Sequence, residues 1–182
     1  MRPPKLFVDA SALYRAIHRP RLAFEILNLA LRGEVQLLAS SLVLEETKDA
    51  LQERAPELVW LFDLLITLLP LEMVPDASHE AVDGHAGLCR DEADIPLILA
   101  AAAARVDYLM TADNDLNDED ESTTELRKMV SPISPLAFLR YIMKWPEDRI
   151  VPILSRTWRD LDVEDDASFR QLLVDNGYGP LL

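Results

Sequence analysis

Five acidic residues sit where apolar runs begin or end. Asp9 closes the run KLFVD (5–9), and Asp113 and Asp115 follow YLM (108–110) within YLMTADNDL. Glu46 falls in the second turn of a helix after the apolar segment EVQLLA (34–39). Asp94 stands at the entry to an alanine-rich run from Ile95 to Arg105. Carboxylates brought together repel one another, so a convergent set needs a counter-ion or abundant water. Hard divalent cations such as Mg²⁺ or Mn²⁺ meet that need, because they prefer oxygen ligands and keep several waters. Two of them about 4 Å apart can activate a water and stabilise the leaving oxygen when a phosphodiester is cleaved. The chemistry open to these residues is metal-assisted hydrolysis.

Each acid taken alone has a plainer structural reading. Asp9 and Asp94 could cap helices, and Asp113 and Asp115 could be turn residues. Of the neighbours Glu45 and Glu46, one is a solvated charge on a helix face. Their joint placement carries the functional reading.

For the acids to meet, separate elements must bring distant parts of the chain to one edge. Apolar runs place strands at Lys5–Asp9, Glu34–Ala39, Leu71–Val74, Asp107–Thr111 and Lys128–Ser131. Helical spacing follows Pro20 over Arg21–Leu31, and Gly33 stops it. Further helices are predicted from Ser40 or Ser41 to Arg54, from Pro56 to Leu69, from His79 behind the cap Ser78, over Ile95–Arg105 and over Pro135–Lys144. Ala10 to His18 reads as a loop or short helix, and 117–124 as a polar loop. This alternation implies an α/β fold with a mostly parallel sheet covered on both faces. In such sheets ligands gather at the carboxyl ends of the strands, where four of these segments can place their acids.

Hydrophobic residues make up 49% of the 182-residue chain, enough for one substantial core. A boundary is expected near Trp145–Pro146, dividing a domain over 1–144 from an acid-rich extension over 145–182, with a helix from Ala167 to Val174. The net charge of −14 argues against holding nucleic acid by bulk electrostatics. It does not exclude a nucleic-acid enzyme, because the charge is polarised. Residues 1–33 carry six positive groups (Arg2, Lys5, Arg15, Arg19, Arg21 and Arg32) against Asp9 and Glu25. Residues 107–121 carry seven acids and no base. Arg15, Arg19 and Arg21 follow the first strand closely and could contact a substrate backbone or be ordinary surface charge. Cys89 is the single cysteine, which points to a reducing cytosol. No signal peptide is apparent, and the longest apolar stretch, Leu58–Leu71, is too short to span a bilayer.

The segments LFVDASAL (6–13), ASSLVLEETKDAL (39–51), DEADIPLILAAAAARVDYLMTADNDL (91–116) and VSPISPLAFLRYI (130–142) together resemble the PIN-domain ribonucleases, especially the stand-alone VapC-like toxins. The likeness covers about 5–144. No one segment is specific; the signal comes from four in order with suitable spacing. The resemblance implies a three-layer α/β/α fold with about five parallel strands in the order 3-2-1-4-5. It implies a Mg²⁺- or Mn²⁺-dependent endoribonuclease leaving a 5′-phosphate and a 3′-hydroxyl. The family's metal ligands fall on Asp9, Glu46, Asp94 and Asp113, with Asp115 as an outer or second-metal contributor. Glu46 is preferred to Glu45 by its distance from Ser40. Ser11 and Thr111 match hydroxyl residues that support the first and fourth acids. Glu46 could also orient the attacking water. A small antitoxin protein is an expected partner, and homodimers are common in the family.

Other readings compete. A receiver-type phosphoacceptor would need an early acid pair, and a dehalogenase-like phosphatase a second Asp where Ser11 stands. A PIN fold acting as a binding or regulatory module with little cleavage is favoured by the acidic balance. A zinc site from His79, His85 and Cys89 lacks a fourth ligand and a tight pair. Trp145, Trp158 and Tyr178 could stack on bases or dock the extension to the core.

Overall fold

The computed structural model describes residues 2–160. Its centre is a parallel sheet of five strands, β1 (Lys5–Val8), β2 (Gln36–Ser40), β3 (Leu71–Val74), β4 (Tyr108–Met110) and β5 (Pro132–Ile133), in the order β3-β2-β1-β4-β5. Leu6, Phe7 and Val8 are wholly buried, as expected for a central strand covered on both faces. The register sets Val8 beside Met110 and Phe7 beside Leu38. The residues that follow β1 and β4 therefore emerge side by side.

Helices α1 (Ala10–His18), α2 (Leu22–Leu31), α3 (Ser41–Arg54), α4 (Val59–Leu68), α5 (His79–Asp83) and α6 (Ile95–Ala103) form the crossovers and cover both sides of the sheet. Residues 10–18 are helix rather than loop, because Ala12, Leu13, Ala16 and Ile17 make a buried stripe at helical spacing. Gly33 ends α2 with φ +73°, and Glu34 N–H closes back on the Leu29 carbonyl at 2.9 Å. The α3 N-terminus is capped from outside: the Asp76 carboxylate, two residues past β3, accepts from Leu42 N–H at 3.1 Å and from the Ser41 hydroxyl.

Two element boundaries differ from the sequence reading. The expected strand over Lys128–Ser131 is a helical turn at Leu126–Met129, and β5 follows at Pro132–Ile133. Pro132 argues locally against a strand. It is tolerated here because β5 is an edge strand and position 132 turns its backbone away from β4, while its neighbours carry the pairing: Leu109 N–H donates to the Ser131 carbonyl at 2.9 Å and Thr111 N–H to the Ile133 carbonyl at 3.2 Å. The helix expected over Pro135–Lys144 is α-helical only to Ala137 and widens to a π-turn over Phe138–Ile142.

Over 146–160 the described chain stays on the core, burying Ile150 and Ile153. Trp158 stacks edge-on against Phe24 at 5.2 Å and donates its indole N–H to the His18 carbonyl at 3.3 Å. Arg156 forms a buried ion pair with Glu25 and donates to the Pro20 carbonyl. Tyr178 and the helix expected over Ala167–Val174 lie outside the described residues. No described helix is long and apolar enough to cross a membrane.

Candidate functional site

Asp9 follows β1 directly, and its N–H still pairs with the Met110 carbonyl at 2.9 Å. Its backbone opens α1, with Leu13 N–H on its carbonyl at 3.0 Å, yet its carboxylate makes no capping bond. Oδ2 instead accepts from the hydroxyls of Ser11 at 2.5 Å and Thr111 at 2.6 Å. Each hydroxyl is oriented in turn by the loop after β4. Ala112 N–H donates to Ser11 Oγ at 3.1 Å, and Asp113 N–H to Thr111 Oγ1 at 3.0 Å. With their single protons spent on Asp9 and their lone pairs on the loop, the two hydroxyls tie the first acid to the backbone of the fourth. Asp9 is buried, 8% exposed, so its orientation is fixed.

Asp113 is exposed and accepts from Asp115 N–H through Oδ1 at 2.9 Å, opening a helical turn over Asn114–Asn117. The turn reading thus holds for this residue as local structure. The Asn117 amide steadies the same loop by donating to the carbonyls of Thr111 at 3.0 Å and Asp113 at 2.8 Å. Asp94 stands at the start of α6 without a capping bond, because Asp91 does that work through Ala93 N–H at 3.0 Å.

Burial, followed by the charges of Asp9, Asp91, Asp113 and Glu46, pushes the Asp94 carboxyl up to about 7. Burial, then Asp9 and Asp76, also raises Glu46. Asp94 thus lies near enough to Asp9, Asp113 and Glu46 to feel their charges, and Glu46 near enough to feel that of Asp9, although the four come from separate segments of the chain. Glu45 lies elsewhere on α3, beside a hollow shared with Phe62 and Asp63 of α4.

Asp115 points to a different neighbour. Arg90 donates to its carboxylate at 2.6 Å and to Asp120 at 3.1 Å, bracing the acidic loop. Arg15, Arg19 and Arg21 line a cavity of about 680 Å³ that reaches Ala112, Asn114 and Asn117 beside the carboxylates.

Arg90, Asn117 and Asp76 were not singled out from sequence. Asp76 had a usable signal, since it follows β3 as Asp9 follows β1. Arg90 and Asn117 had none, because their partners are chosen by loop closure. His85 binds the Ala81 carbonyl at 2.8 Å, and the Cys89 thiol donates to the Asp91 carbonyl at 3.0 Å. Burial, then Asp94, Asp91 and Glu92, pushes that thiol up to about 11, away from the thiolate that zinc requires.

The carboxylate set has the donor chemistry of a hard divalent cation: oxygen only, and a Coulombic strain that positive charge would relieve. Among the described residues no three His, Cys, Asp or Glu side chains form a ready-made coordination shell.

Comparisons with known proteins agree with this architecture. The chain is similar in structure to PAE2754 from Pyrobaculum aerophilum, with a TM-score of 0.54 and 18% identity over 80% of this chain and 98% of that one. A search of curated proteins gives no match. The family model described as PIN domain matches residues 5–115, more than half of the sequence, so the chain belongs to the PIN domain family, whose fold is nuclease-like.

Proposed function

We propose that this protein is a Mg²⁺- or Mn²⁺-dependent endoribonuclease that hydrolyses RNA phosphodiesters. The observation that carries the reading is the hydrogen-bonded tie, through Thr111, of Asp9 to the loop of Asp113 at the carboxyl ends of β1 and β4, with Asp94 and Glu46 near enough for the charge of Asp9 to bear on them. A divalent cation bound there would supply a Lewis acid and neutralise charge on the scissile phosphate. Asp9, Asp94 and Asp113 would hold it, directly or through its retained waters, and Ser11 and Thr111 would keep Asp9 aimed. Glu46, raised above the usual carboxylate range, is suited to take a proton from an attacking water or to orient it. Asp115, occupied by Arg90, would act on the loop's position more than on the ion.

The family resemblance favours a toxin component, held in check by a small antitoxin protein, acting in the cytoplasm and assembling as a homodimer. A basic side chain of an antitoxin entering the cleft would meet several carboxylates.

The test is cleavage of a single-stranded RNA by the purified chain with Mn²⁺ present. Asp9→Asn and Asp113→Asn should each abolish cleavage while their far-ultraviolet circular dichroism stays that of the parent. Full cleavage by both variants would overturn the proposal. The rival reading, a binding module without cleavage, is favoured by the net charge of −14. It would stand if the parent leaves RNA intact at every Mn²⁺ concentration tried.

A further inference from the structure

The cavity bordered by Arg15, Arg19 and Arg21 lies beside the carboxylates, and its chemistry is opposite to theirs. Ala112 and Asn114, the two neighbours of Asp113, form part of its wall. Tyr14, tilted against His18 with ring centroids 5.5 Å apart, supplies an aromatic surface, and Leu136 an apolar one.

The charge in this cavity needs an explanation. Acids outnumber Lys and Arg by 32 to 18 in this chain, so a surface arginine has many carboxylates to choose from. Arg15 and Arg19 are exposed, and neither forms an ion pair with any described acid. Arg21 is partly committed, since its Nε donates to the Arg156 carbonyl at 3.2 Å. Three guanidinium groups around one hollow repel a cation and gain nothing from a purely apolar guest. A planar ring carrying a phosphate satisfies both linings, the arginines through bidentate bonds and the tyrosine by stacking. The volume, about 680 Å³, lies in the range that takes one small organic group. A base paired inside a duplex cannot enter such a hollow; one in a single strand can.

We propose that this cavity is a subsite for the nucleotide adjoining the cleaved phosphodiester in a single RNA strand, with Arg15 and Arg19 on its backbone phosphates and Tyr14 against its base. The inference rests on the nuclease reading above for which bond is cleaved, and on the cavity alone for the binding of the strand.

The test is fluorescence anisotropy with a labelled eight-nucleotide oligouridylate in EDTA, where cleavage cannot interfere. Arg15→Ala/Arg19→Ala should weaken binding about tenfold or more and flatten the dependence of log Kd on log salt by about 1.4, at about 0.7 per lost phosphate contact on a single strand. Lys48→Ala/Arg54→Ala removes the same charge from α3 and should leave binding within about twofold, because screened charges at a distance contribute little. An RNA duplex of equal length should compete poorly. The proposal is overturned if the Arg15/Arg19 variant binds like the parent, if both double variants weaken binding equally, or if the duplex competes as well as the single strand. Adding Mn²⁺ separates the two readings. If Asp9→Asn stops cleavage while the Arg15/Arg19 variant binds and cleaves like the parent, the subsite falls and the nuclease stands. If nothing cleaves but the arginine variant still binds weakly, the strand site stands and the nuclease falls.

Discussion

Thr111 donates its hydroxyl to Oδ2 of Asp9 at 2.6 Å across the seam between β1 and β4. The parallel register that pairs Val8 with Met110 carries both residues to the same level, one step past the sheet. The same hydroxyl accepts Asp113 N–H at 3.0 Å, so one oxygen sets both the first acid and the loop of the fourth.

Thr111→Val keeps the shape and removes this oxygen. The Asp9 carboxylate loses a charge-assisted bond and Asp113 N–H loses its acceptor, which should cost about 1–3 kcal/mol in urea unfolding. Divalent-cation affinity should fall about 10–100-fold, the usual effect of losing a ligand's support. Adding Ser11→Ala should give a non-additive loss, because both hydroxyls serve Oδ2. An unchanged cation affinity in titration calorimetry would separate this hydroxyl from the site.

Asp94 makes stability depend on pH without added metal. Its carboxyl titrates near 7 in the folded chain and near its ordinary 3.8 when unfolded. Between about pH 4 and 7 the folded state therefore holds a proton that the unfolded state has lost. Stability should fall as pH rises through that window and level off above it. Asp94→Asn should remove most of the slope and be more stable than the parent at pH 8. The gain is about 2 kcal/mol once water relaxation at this half-buried site is allowed for. Equal urea midpoints for the two proteins at pH 8 would contradict the coupling.

Divalent cations should counter the same repulsion. Mg²⁺ or Mn²⁺ at about a hundred times its Kd should stabilise the fold by about 2.7 kcal/mol, and EDTA should reverse the gain. The shift should be larger at pH 8 than at pH 5.5, where Asp94 is protonated and contributes one charge fewer. Thermal melts at the two pH values check this. A shift of equal size in Asp9→Asn would place the ion elsewhere.

Arg156 holds the described part of the extension through its buried pair with Glu25, which is 6% exposed. Arg156→Ala leaves that carboxylate buried without its partner and should cost about 3 kcal/mol. Glu25→Gln/Arg156→Met removes both charges and should recover part of the loss. Chemical denaturation of the two variants measures the difference. A double variant no more stable than the single one would mean that packing by Arg156, not its charge, is the larger effect.

The strands themselves and the placing of Asp9, Asp94 and Asp113 beside apolar runs could be read from neighbours in the chain, whereas the strand order was implied only by the family resemblance. A buried strand is a short apolar run, a crossover helix repeats at 3.6 residues, and an acid at the end of a run is visible without coordinates. Pro132 shows where local reading failed: its ring argues against a strand, and only its position at the sheet edge permits one. The site divides in the same way. Acids of the needed type at the ends of elements are a property of the sequence. That Thr111 reaches Asp9, that Arg90 occupies Asp115, that Asp91 leaves Asp94 free of capping and that Asp76 bears on Glu46 were decided by the tertiary structure. Except for the local Asp91 cap, those contacts join residues far apart along the chain, and their geometry follows from strand register and loop closure, which no local pattern encodes.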